Sequence, residues 1–257
     1  MIPPARHRIL AHFVAGYPTF NDSLDIARGL IAGGAWALEM QIPFTDPSAD
    51  GPDIDQACQT ALAGGFTFND ALKLLETIRR ESDIPVFVMS YANIAVVRGI
   101  PSFVRQLSEQ GASGFIIPDL PPDSDEGLYQ AAADVGAPAV PVIVPWISNS
   151  RLNQILALKP EMIYVALRKG ITGQKTHIDT GQRQFLTQLT NRPDAPRILA
   201  GFGIQNAEQV REINSLAHAA VVGSAIICKV RDNPDQRPGT VAQSFIQLLR
   251  GASRTCS

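Results

Sequence analysis

The stretch Ala37-Leu38-Glu39-Met40-Gln41-Ile42-Pro43-Phe44-Thr45-Asp46-Pro47-Ser48-Ala49-Asp50-Gly51-Pro52 holds two carboxylates, Glu39 and Asp50, on one strand and the loop after it. Alternation puts Leu38, Met40 and Ile42 on one strand face and Ala37, Glu39 and Gln41 on the other. With the apolar trio against helices, Glu39 points to the interior, where a carboxylate is costly unless paired or near water. It is therefore either a satisfied interior ion-pair partner or an acid/base group. Asp46 and Asp50 lie in a loop stiffened by Pro43, Pro47 and Pro52. Loop aspartates often do no more than form turns. Two carboxylates on one strand–loop unit are nonetheless a workable acid/base pair.

A second constellation is built from glycine. Gly170-Ile171-Thr172-Gly173, Gly201-Phe202-Gly203-Ile204 and Gly223-Ser224-Ala225 follow three successive apolar strands. Backbone N–H groups at such turns and at a helix start attract anions, and glycine lets a phosphate approach the main chain. Tyr91 and Tyr164 end the third and sixth strand segments, where a phenol would line a ligand pocket. Other candidates read more plainly. His7, His12, His177 and His218 lack metal-ligand spacing; His12 either faces the mouth from the first strand or, the favoured reading, is a structural residue there. Cys58 and Cys228 look like small core residues, and Trp36 and Trp146 like packing groups. Arg168 and Lys169 either neutralise a phosphate or are simply solvated.

These groups need a scaffold that brings strand ends together. Eight apolar strand segments alternate with helical ones: Arg8–Val14, Leu38–Ile42, Pro85–Met89, Phe115–Ile117, Val140–Val144, Met162–Leu167, Arg197–Ala200 and Ala219–Val222. The first helix is expected to be capped by Asn21 or Asp22 and stopped by Gly33-Gly34. Eight units in 257 residues match a (β/α)8 TIM barrel, in one domain over 1–257, with active residues at the carboxyl ends of its strands. A doubly wound open sheet is the alternative, but the first turn, Ala15-Gly16-Tyr17-Pro18-Thr19, has no G-x-G-x-x-G. With 22 basic and 24 acidic side chains the chain lacks the positive footprint of a nucleic-acid binder. Its apolar runs are too short to span a bilayer, and three scattered cysteines suit a reduced, cytoplasmic setting.

Taken together, these segments resemble the tryptophan synthase alpha subunit family over nearly the whole chain. Leu38 to Pro52 is similar to the family signature L-E-L-G-x-P-F-S-D-P-x-A-D-G-P. Tyr91-Ala92-Asn93, Pro118-Asp119-Leu120-Pro121 and the three glycine turns match its further motifs in order. The resemblance implies retro-aldol cleavage of indole-3-glycerol phosphate to indole and glyceraldehyde 3-phosphate. It makes Glu39 the general acid/base and Asp50 the carboxylate on the indole N–H. Tyr91, Tyr164, Thr172, Gly173, Phe202, Gly203, Gly223 and Ser224 are the implied substrate contacts. Asp46 and Pro47 are the implied interface with a beta subunit, expected in an alpha2-beta2 complex that carries the pyridoxal phosphate; no cofactor or metal is expected in this chain. A free-standing indole-releasing lyase, or a silent barrel that activates a beta subunit, are the alternatives. The chain departs from the pattern at Gln41, where the signature has glycine, at His12, where the family has a large apolar residue, and at Leu167-Arg168-Lys169. Its short leader implies a reduced extra helix at the N-terminus.

Overall fold

The computed structural model describes residues 7–167, 178–201 and 203–251. Eight parallel strands form one sheet: β1 (Ile9–Val14), β2 (Ala37–Gln41), β3 (Val86–Met89), β4 (Gly114–Ile116), β5 (Val142–Ile143), β6 (Met162–Ala166), β7 (Arg197–Gly201) and β8 (Ala219–Val222). Their order is β4-β3-β2-β1-β8-β7-β6-β5. A parallel bridge between Phe115 and Ala139 brings β4 to the run before β5, so the sheet closes into a (β/α)8 barrel. Two hydrogen bonds seal it: the Phe115 amide donates to Pro138 O at 2.9 Å, and the Val140 amide to Phe115 O at 2.8 Å.

Alternation divides the strand side chains as a closed parallel sheet requires. Ile9, Ala11, Phe13, Leu38, Met40 and Val88 face the helices in the larger apolar cluster. Leu10, Ala37, Phe87, Met162, Leu199 and Val221 fill the barrel interior. Around the sheet stand α1 (Phe20–Ala32), α3 (Phe68–Glu81), α5 (Ile100–Glu109), α6 (Leu128–Asp134), α7 (Asn149–Ala157), α8 (Thr180–Thr190), α9 (Ala207–Leu216) and α11 (Pro238–Leu249). Three further helices, α2 (Pro52–Ala63), α4 (Ala92–Val97) and α10 (Ser224–Arg231), follow β2, β3 and β8.

Three local expectations are corrected. Thr19, rather than Asn21 or Asp22, caps α1: its hydroxyl oxygen accepts from the Asp22 amide, and Asp22 sits in the first turn. Cys228, expected in the core, is only partly buried; after β2, Pro52 starts α2 with Asp53 and Asp55 in its first turn. Strand five shrinks to Val142–Ile143 because Pro141 and Pro145 have no N–H to give a ladder. Among the described residues no helix is long and apolar enough to cross a membrane. The leader, residues 1–6, where a reduced extra helix is expected, lies outside the described residues.

Candidate active site

The register of β1 against β2 sets the first part of the site. His12 is paired with Glu39 and Val14 with Gln41, so the four stand side by side at the carboxyl ends of two strands. His12 and Glu39 are 4% and 3% exposed. Nδ1 of His12 stands 3.5 Å from Oε2 of Glu39. Burial pushes the His12 imidazole down, but the Glu39 contact and the charges of Glu39 and Asp50 outweigh it, leaving a net rise above the ordinary value. Glu39 Oε2 and His12 Nε2 are buried without a hydrogen-bond partner among the described residues.

Asp50 precedes α2 and is half-buried. Its Oδ2 accepts from Gln41 Nε2 at 2.7 Å and from the Tyr91 hydroxyl at 2.7 Å. The Ala49 amide in turn donates to the Tyr91 hydroxyl at 3.1 Å. Tyr91 is wholly buried and stacks on Phe44 with ring centroids 5.4 Å apart. Burial raises the Asp50 carboxyl above its usual range, while His12 and the hydrogen bonds from Tyr91 and Gln41 restrain that rise. Tyr91 is itself pushed far up by burial and by the Asp50 charge, so it remains a donor.

Both carboxylates face one cavity at the carboxyl end of the barrel. His12, Glu39 and Asp50 line it from β1, β2 and the segment before α2; Met89, Ile116, Pro118 and Val142 supply apolar surface; Tyr164 and Gly203 line it from β6 and the turn after β7, and Gly223 and Ser224 from the end of β8, beside β1. Burial raises the Tyr164 hydroxyl well above its ordinary value, helped by the charges of Glu39 and Asp50. Gly203 has φ +74°, a left-handed conformation suited to glycine. Gly223 precedes the first turn of α10, which has no side-chain cap. The first amides of that helix have no intrahelical acceptor and suit an anion.

The structure thus brings Glu39, Asp50, Tyr164, Gly203, Gly223 and Ser224 to one cavity. Tyr91 is not among the lining residues; it stands behind Asp50. Asp46 is exposed and Pro47 buried in the turn before Asp50. Thr172, Gly173 and Phe202 lie outside the described residues. Sequence reasoning allowed His12 to face the mouth but preferred a structural role for it, and it missed Gln41 as a partner of Asp50. The signal was available for both, since alternation gives each the inward face. Cys58 matches its reading as a core residue: it is buried, and burial pushes its thiol up to about 12. Among the described residues no cluster of three or more His, Cys, Asp or Glu is placed to hold a metal ion.

The sequence pattern of the family described as "Tryptophan synthase alpha chain" matches residues 3–253. The chain belongs to this family. A tryptophan synthase alpha chain from Helicobacter hepaticus is 37% identical over 226 residues, covering 86% of this chain and 84% of the relative. A solved structure from Aquifex aeolicus superposes with TM-score 0.82 at 31% identity, covering 96% of this chain and 93% of that one. The solved tryptophan synthase complex from Pyrococcus furiosus gives TM-score 0.85 at 24% identity over 96% and 98% of the two chains, a likeness of fold alone. Membership in the tryptophan synthase alpha chain family places the protein in tryptophan biosynthesis and implies a lyase role.

Proposed function

We propose that this chain, a single cytoplasmic barrel domain, cleaves indole-3-glycerol phosphate to indole and glyceraldehyde 3-phosphate in a retro-aldol-type reaction. The supporting observation is the cavity itself, with a buried and a half-buried carboxylate beside glycine turns and a helix start in one lining. Glu39 protonates indole C3 and takes the proton of the glyceryl hydroxyl as the carbon–carbon bond breaks. Asp50 accepts from the indole N–H, which stabilises the positive charge that C3 protonation places on the ring. The restraint from Gln41 and Tyr91 aims Asp50 at this task before substrate arrives. Gly173, Gly203, Gly223 and Ser224 hold the phosphate, Thr172 helps order Asp50 once substrate is bound, and Phe202 is a further substrate contact. Tyr164 and the apolar strand ends enclose the ring, keeping water from the reacting carbon.

The partner in this reading is a tryptophan synthase beta subunit in an alpha2-beta2 complex, with Asp46 and Pro47 at the contact. Pyridoxal phosphate belongs to that partner. The test is indole formation from indole-3-glycerol phosphate by the isolated chain and again with the cognate beta subunit. Indole release is expected in both, and faster with the partner. No release in either arm overturns the reading.

A further inference from the structure

The mechanism above uses Glu39 and leaves its nearest charged neighbour unexplained. His12 is a titratable side chain at 4% exposure, on the cavity wall, with no hydrogen bond at Nε2 among the described residues. A buried imidazole nitrogen without a partner is unfavourable, so the position calls for a compensating gain. The register of β1 and β2 supplies one, holding Nδ1 at 3.5 Å from Glu39 Oε2. The opposite side of the ring lies on Gly223, where even a Cβ would stand 3.3 Å from Cδ2. The ring is therefore confined between β2 and the start of α10.

We propose that His12 is a positioning residue for Glu39: its imidazole fixes the carboxylate and shares the proton that Glu39 exchanges with substrate. The proposal rests on the acid/base reading of Glu39. The proton given to indole C3 is replaced by the one taken from the glyceryl hydroxyl, so the pair ends each turnover as it began. Three titratable groups share this space: Glu39 from β2, Asp50 from the segment before α2, and Tyr164 from β6. Both carboxylates favour the imidazolium, and Tyr164 stays neutral, so the pair keeps its proton to a pH above the ordinary histidine range. Indole release should fall as pH rises through that value.

His12→Phe fills the same space without a charge, and His12→Asn keeps a donor near Nδ1 without the titration. For His12→Phe, kcat should drop about tenfold with KM held within about threefold. Its alkaline limb should move to lower pH by about one unit or more, because a lone carboxyl is a weaker base than imidazole. His12→Asn should retain more activity than His12→Phe and show the same displaced limb. The second readout needs no turnover: the His12 ring resonance is titrated by NMR in the wild-type chain and in Glu39→Gln. Loss of the carboxylate should lower the His12 midpoint by about one unit or more. A His12→Phe profile superimposed on the wild type, or a His12 midpoint unmoved in Glu39→Gln, overturns the proposal. Near-wild-type indole release by Glu39→Gln overturns the acid/base reading itself. Should His12→Phe not fold, His12→Asn and the NMR titration decide.

Discussion

The two rims of the cavity solve different problems with different parts of the chain. On the β1–β2 side the chemistry is in side chains: His12, Glu39, Gln41 and Asp50 are charged or polar groups held by one another and by Tyr91. On the β7–β8 side it is in the main chain: Gly203, Gly223 and the opening amides of α10 offer backbone N–H groups and almost no side-chain bulk. Proton transfer needs a titratable atom fixed in one place, which costs desolvation and must be offset by neighbours. Anion binding needs only dipoles and space, which glycine supplies without any buried charge. The glycines also serve packing: a Cβ on Gly201 would come within 2.4 Å of Val221 O on the adjacent strand. One rim can thus be damaged by changing a single atom, the other by adding one.

The largest effect should come from the first rim. Glu39→Gln keeps the shape of the side chain but removes its capacity to carry a proton. Indole release should fall by about a thousandfold, with KM changed by no more than about threefold. Steady-state kinetics with indole-3-glycerol phosphate measures both, and turnover above a tenth of wild type would remove Glu39 from the acid/base role. Asp50→Asn ranks second. The amide still receives hydrogen bonds from Gln41 and Tyr91, but it no longer offers a negative charge to the indole N–H. A loss of about a hundredfold in kcat is expected. A rise in KM with kcat unchanged would show ground-state binding instead.

A substitution on the β7–β8 rim should give a different kinetic signature. Gly223→Val would crowd the approach to α10 and press on His12, whose Cδ2 is 3.3 Å from the position of a Cβ. KM should rise about tenfold, with a smaller fall in kcat. Inorganic phosphate should inhibit the variant less than the wild type. An unchanged KM would mean that the phosphate is held elsewhere, and the contrast between the rims would lose its basis.

Much of this contrast is legible in the residues themselves. The apolar alternation of Leu38, Met40 and Ile42 turns Glu39 inward, and the barrel does place it there. Strand eight has the bounds that its Ala-Ala-Val-Val run indicates. Helix α2 is weakly marked in the sequence because its buried face, Ile54, Ala57, Cys58 and Ala61, is made mostly of small residues that give a weak period. Helix α4 is six residues long, too short to show any period. His12 and Gln41 are harder for another reason. Their partners depend on strand register and on the fold of a loop, which are tertiary facts. A strand histidine has the same local signature whether it packs or pairs.

Tyr91→Phe tests the subtlest part of the first rim, and its effect should be the smallest. The variant keeps the ring stacked on Phe44 and removes only the hydroxyl that donates to Asp50 and accepts from Ala49. Burial already raises the Asp50 carboxyl, and the Tyr91 hydrogen bond is one of the restraints on that rise. Without it the protonated form gains further, so Asp50 should lose its charge at a higher pH than in the wild type. If catalysis requires the ionised form, activity should be nearly unchanged at alkaline pH and fall earlier on acidification. The acid limb of kcat should move up by about half a unit to one unit. The β7–β8 rim should not register the change, so KM and phosphate inhibition should stay at wild-type values. A uniform loss at every pH would instead assign Tyr91 to the shape of the loop that carries Asp50. A rise in KM alone would make it part of the substrate wall, which its burial behind Asp50 argues against.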